Sequence, residues 1–97
     1  MVQNPKVFLL EDDPSLGATL NERLQKEGYN VQWCQSLKQA NGYLNEHFDL
    51  FILDVTLKDG SGFDFATDIR KKTNSPFLIM TALNTAESRL RGYELGA

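Results

Sequence analysis

Oxygen-bearing side chains close three short apolar runs. Val7-Phe8-Leu9-Leu10 leads into Glu11-Asp12-Asp13, Leu50-Phe51-Ile52-Leu53 ends on Asp54, and Phe77-Leu78-Ile79-Met80 ends on Thr81. Gathered in one place, these residues would offer hard oxygen ligands to a divalent cation, an aspartate nucleophile, and a hydroxyl placed to respond to a change at that aspartate. Asp13 directly precedes Pro14, which suits it to capping a helix. Glu11 and Asp12 then remain as the acid pair to set beside Asp54. Acids held together repel, so such a site is expected to raise carboxyl pKa values or to demand a cation.

Taken singly, each residue has a plainer reading. A lone aspartate at a strand end is a loop acid or a helix cap, an acidic triplet is a solvated turn, and a threonine before a helix is an N-cap. The chemistry follows only if the three runs are neighbouring parallel strands whose carboxyl ends share an edge, where open α/β sheets bind their ligands. Continuous apolar runs of this length suit parallel strands buried on both faces.

The intervening sequence supplies helices. Lys6 to Leu10 reads as a first strand, and Asp13-Pro14 opens a helix with Leu16, Leu20 and Leu24 on one face and Glu22-Lys26 as an i,i+4 pair. Gly28 stops it. Tyr29 to Trp33 alternates apolar and polar residues, the pattern of a half-exposed edge strand. Ser36 caps a weaker helix running to about His47, with Gly42 a soft spot. Asp49 to Asp54 forms the next strand. Asp59-Gly60-Ser61-Gly62 is a turn, and a helix from about Gly62 to Lys72 buries Phe63 or Phe65, Ala66 and Ile69. Ser75-Pro76 opens a fourth strand ending at Thr81, and Thr85 caps a last helix. Strands alternating with helices imply right-handed crossovers and a parallel sheet covered on both faces. Phe51, Phe63 and Phe77 are core residues in this reading, Trp33 and Cys34 pack, and His47 lies on the surface.

Composition agrees with one small domain. The 97 residues are 41% hydrophobic, with seven glycines, as in ordinary globular chains. A net charge of -3 gives no support to a nucleic-acid-binding face. The single cysteine excludes an internal disulfide and fits a reducing compartment. No apolar stretch approaches the roughly 20 residues that span a bilayer, and the N-terminus has no signal-peptide core. A cytoplasmic location is expected, with no membrane partner.

Four segments in order carry a family resemblance: Phe8-Leu9-Leu10-Glu11-Asp12-Asp13-Pro14; Asp49 to Asp54 followed by Asp59-Gly60-Ser61-Gly62-Phe63; Pro76 to Ala82; and Gly92 to Ala97. The chain resembles the receiver domain of bacterial two-component response regulators, most closely those preceding a winged-helix DNA-binding domain. The resemblance implies a flavodoxin-like (CheY-like) three-layer α/β sandwich with strand order 2-1-3-4. It implies Asp54 as phosphoacceptor from a sensor histidine kinase. Mg²⁺ would be held by Asp12, Asp54 and the Thr56 carbonyl, with Glu11 contributing charge and water-mediated contact. Thr81 would be the switch hydroxyl, and Thr56 and Leu83 would border the path of attacking water. DNA is expected as a partner only through an output domain outside this sequence, and a homodimer is the family expectation. The chain would then be a switch that handles its own phosphoryl group, not a turnover enzyme.

Two departures accompany the resemblance. Lys58 replaces the family's usual loop proline. The sequence stops at Gly96-Ala97, where a fifth strand, a phosphoryl-contacting lysine, an aromatic switch partner and a fifth helix would follow. Residues 1–97 are thus expected to be an incomplete receiver domain, part of a longer protein, with its fourth strand at a sheet edge. The rival reading is a receiver-shaped interaction module that dimerises without phosphorylation. A metal-dependent phosphatase fits less well, because such enzymes need an acid two residues after the nucleophile and Thr56 stands there.

Overall fold

The computed structural model describes residues 4–80. In chain order its elements are β1 (Lys6–Leu10), α1 (Pro14–Lys26), β2 (Asn30–Cys34), α2 (Leu37–Asn41), β3 (Leu50–Asp54), β4 (Thr56–Leu57), β5 (Gly60–Ser61), α3 (Gly62–Arg70) and β6 (Phe77–Met80). Thr81 and the helix expected from Thr85 lie outside the described residues.

The main sheet has the order β2-β1-β3-β6, with every pair parallel. This is the expected 2-1-3-4 arrangement, with β6 as the fourth long strand because a two-residue antiparallel ladder, β4 with β5, intervenes. Leu10 pairs with Leu53, which brings the residues that follow them, Glu11 and Asp54, to the same edge.

Alternation along the strands splits the core into two layers. Phe8, Leu10, Phe51 and Leu53 pack with Phe65, Ala66 and Ile69 of α3 and Ala40 of α2. Val7, Leu9 and Ile52 pack on the opposite face with Leu20 and Leu24 of α1 and Val31 and Trp33 of β2. β1 is buried on both faces because it is central, and this is why its sequence is apolar without alternation. β2, at one edge, is only half buried.

Local chemistry sets the helix ends. The Asp13 carboxylate accepts from Ser15 N–H and Leu16 N–H, with Pro14 in the first turn. Gly28 ends that segment with φ of 94°. Ser36 caps α2 and Ser61 caps α3.

Three expectations need correction. The helix predicted from Ser36 to about His47 is a helix only over Leu37–Asn41. Gly42 is its C-cap, and residues 42–46 continue as turns in which Tyr43 N–H and Glu46 N–H bond carbonyls three residues back. The glycine removes the side chain that would favour another turn, and Phe48 is instead drawn into the core. The predicted end of α3 at Lys72 comes at Arg70. Leu16, expected on the buried stripe of α1, is 45% exposed, as is Leu78 of β6 at 54%.

Candidate functional site

The sheet order places the ends of β1 and β3 side by side, and Glu11, Asp12 and Asp54 meet there. Each offers a carboxylate oxygen, and these oxygens lie within 4.8 Å of one another. Glu11 and Asp54 are buried, at 2% and 6% exposure, and are the only buried charged residues among those described. Asp12 is partly exposed. Asp13 takes no part, since its carboxylate is committed to the α1 cap.

Burial of this kind must be compensated. One Glu11 oxygen accepts from Asp13 N–H at 3.0 Å. Asp12 accepts from Lys58 N–H at 3.0 Å, so the loop after β3 is strapped across the acid pair. Glu11 titrates at about 7, well above an ordinary glutamate. Burial is the main cause; a side-chain hydrogen bond with Asp54 and the charges of Asp54 and Asp12 add to it, against the Asp13 N–H. The raised value expected from crowded acids is thus present on Glu11, with desolvation ahead of repulsion as its origin.

The backbone around the acids is tightly held. Glu11 N–H donates to the Cys34 carbonyl at 3.0 Å, and the Trp33 indole N–H donates to the Glu11 carbonyl at 2.9 Å. Val55 N–H donates to the Met80 carbonyl at 3.1 Å, tying the residue after Asp54 to β6. Gly62, the first residue of α3, packs against the Asp54 carbonyl so closely that a Cβ would overlap its oxygen. Thr56 lies in β4, two residues past Asp54 and paired with Ser61.

The acid at the opposite edge of the sheet shifts the other way. Exposed Asp49 is held below the usual carboxylate range, chiefly by Lys6 N–H and then by His47. His47 is exposed, as expected. Among the described residues at the carboxyl edge, the acids meet one another and the backbone N–H groups of Asp13 and Lys58. An all-oxygen donor set of crowded, partly desolvated carboxylates fits a hard divalent cation such as Mg²⁺, whose charge would offset their mutual repulsion.

Several features escaped the sequence. Lys58, which stands where the family usually has a loop proline, contributes its backbone N–H to Asp12. Asp59 is more than a turn residue: its carboxylate accepts from Leu37 N–H and Lys38 N–H of α2. The indole bond of Trp33 joins residues 22 positions apart, with no local signal to announce it.

The response regulator receiver domain family matches residues 7–97. The chain belongs to that family. Among curated relatives, this receiver domain is 35% identical over 92 residues to the transcriptional regulatory protein CpxR of Klebsiella pneumoniae, covering 95% of this chain and 40% of the relative. It is also 35% identical over 96 residues to CusR of Escherichia coli, covering 41% of that protein. The chain therefore spans about two fifths of these regulators. Among solved structures, the non-phosphorylated HemR receiver domain of Leptospira biflexa is 46% identical with a TM-score of 0.87, over 97% of this chain and 77% of that one. The BeF3-activated DrrB receiver domain is 28% identical with a TM-score of 0.86, over 98% and 80%. The fold is the CheY-like α/β sandwich.

Proposed function

We propose that the chain is a phosphorylation-dependent signalling switch. Asp54 accepts a phosphoryl group from a phosphohistidine of a sensor kinase, and an output domain elsewhere in the protein answers by controlling transcription, in the cytoplasm. The observation that carries this reading is the meeting of Glu11, Asp12 and Asp54 at the carboxyl edge of β1 and β3.

The chemistry follows from the donors. An Asp54 oxygen attacks phosphorus, the bond from phosphorus to the donor nitrogen breaks, and the departing imidazole takes a proton. Asp12, Asp54 and the Thr56 carbonyl would hold Mg²⁺, with Glu11 acting through charge. A bound ion there would supply positive charge against the incoming phosphoryl oxygens, which a carboxylate nucleophile otherwise repels. The Gly62 contact and the Val55–Met80 hydrogen bond fix the backbone that presents Asp54. Thr81 follows β6 directly and supplies the switch hydroxyl: an O–H there donates to a phosphoryl oxygen and re-poses the segment after it. The chain acts on its own phosphoryl group and turns over no other substrate, and it pairs as a homodimer when phosphorylated.

Intact-mass spectrometry after incubation with Mg²⁺ and phosphoramidate tests this. A gain of one phosphoryl group that requires both the metal and Asp54, and is absent from Asp54→Asn, is the expected result. Labelling that persists in Asp54→Asn would refute the acceptor assignment. Mg²⁺ binding without any labelling, here and in a version extended past Ala97, would favour the unphosphorylated interaction module.

A further inference from the structure

The acid pair sits on the turn between β1 and α1, and a turn of that kind is only as well placed as its backbone. Both backbone polar groups of Glu11 are engaged by consecutive residues of β2. Cys34 supplies a carbonyl to Glu11 N–H, and Trp33 supplies its indole N–H to the Glu11 carbonyl at 2.9 Å. The first is an ordinary extension of the strand ladder. The second is a side-chain bond that exists only because the residue is tryptophan.

The indole reaches that carbonyl because α1 makes room for it. Gly17 is the buried residue of α1, and a Cβ built there would overlap the fused ring of Trp33. A mid-helix glycine weakens a helix relative to alanine, so it calls for a reason in packing. Here the absent side chain lets the ring lie against the helix backbone. Gly17 N–H in turn donates to the Asp13 carbonyl at 2.8 Å, which returns to the acidic turn from its other end.

The geometry points to Trp33, seated on Gly17, as a positioning residue for the Glu11–Asp12 acid pair. Its link to the phosphoryl-transfer reading rests on Proposed function, but the positioning itself does not. The indole fixes the Glu11 carbonyl, the carbonyl fixes the peptide plane leading to Asp12, and both carboxylates are thereby aimed towards Asp54. Outer-shell groups that orient metal ligands characteristically matter about 10- to 100-fold in affinity.

The test compares the full chain with Trp33→Phe, Gly17→Ala and, as a control, Leu24→Ala. Leu24 packs on the same sheet face without touching the turn's hydrogen bonds. Two quantities are read: amide hydrogen exchange at Glu11 and Asp13 without metal, and Mg²⁺ affinity by calorimetry. Trp33→Phe keeps an aromatic ring and loses the N–H; Gly17→Ala keeps the N–H and displaces the ring. Both should speed exchange at these amides and weaken Mg²⁺ binding roughly tenfold, while Leu24→Ala loses melting temperature without that loss of affinity. Wild-type exchange at the turn in Trp33→Phe overturns the proposal, as does an equal loss of affinity in Leu24→Ala. If the parent chain binds no Mg²⁺ yet the turn exchanges faster in both variants, the metal-site reading fails and the positioning role stands.

Discussion

Glu11 is where chemistry and stability conflict. It is buried and titrates at about 7, against an ordinary value of 4.5. Between those limits the folded chain holds a proton that the unfolded chain has released, so the metal-free protein should lose stability as pH rises from about 4.5 to about 7. Glu11→Gln keeps the shape and an acceptor for Asp13 N–H but removes the charge. It should melt higher than the parent at pH 8 without metal, by the equivalent of roughly 1–3 kcal/mol, with the difference shrinking towards pH 4.5. A cation must displace that proton, so Mg²⁺ affinity of the parent should weaken by up to about tenfold per pH unit below 7. Calorimetric titrations across this range check both, and a pH-independent affinity would mean that Glu11 is ionised before the metal arrives.

At the scale of elements, the strands and helix starts were legible because they depend on neighbours in sequence. The apolar runs marked β1, β3 and β6, and Asp13-Pro14 and Ser36 marked the starts of α1 and α2. The acid cluster was legible too, once the family resemblance supplied the strand order that sets β1 beside β3. Features depending on distant partners were hidden: the Lys58 strap on Asp12, Asp59 at the start of α2, and the need for glycine at 62. Gly62 reads as a flexible turn residue, yet its backbone is not in the left-handed region; it is required because the Asp54 carbonyl occupies the place of a Cβ. Gly62→Ala should therefore destabilise the chain by about 1–3 kcal/mol, the scale of overpacking a filled site. It should also slow phosphorylation of Asp54, whereas Gly42→Ala, where a Cβ meets only the Gln39 carbonyl at 3.3 Å, should change stability less and leave labelling unchanged. Urea titration and labelling rates separate the two.

At the scale of the whole molecule, the described residues gather most of their aromatic packing in one cluster. Phe8, on the central strand, meets the rings of Tyr43, Phe48, Phe51 and Phe65 at centroid distances of 5.1 to 6.0 Å. Phe8→Ala should cost about 3–5 kcal/mol, a large share of what a small domain possesses. Loss of a cooperative thermal transition in that variant is the expected outcome. The β1–β3 pairing that this cluster supports has another consequence, in time. Residues 43 positions apart must find their register before Glu11 and Asp54 come to one edge. A two-residue slip would keep every side chain on its proper face yet move Asp54 by about 6–7 Å along its strand. The cation site is thus absent from the unfolded chain and from any slipped sheet. Mg²⁺ should accordingly leave refolding kinetics unchanged and slow unfolding, by about elevenfold at ten times its dissociation constant. Stopped-flow traces with and without the ion would show whether the acid cluster acts as a latch that closes only after the chain has found the right alignment.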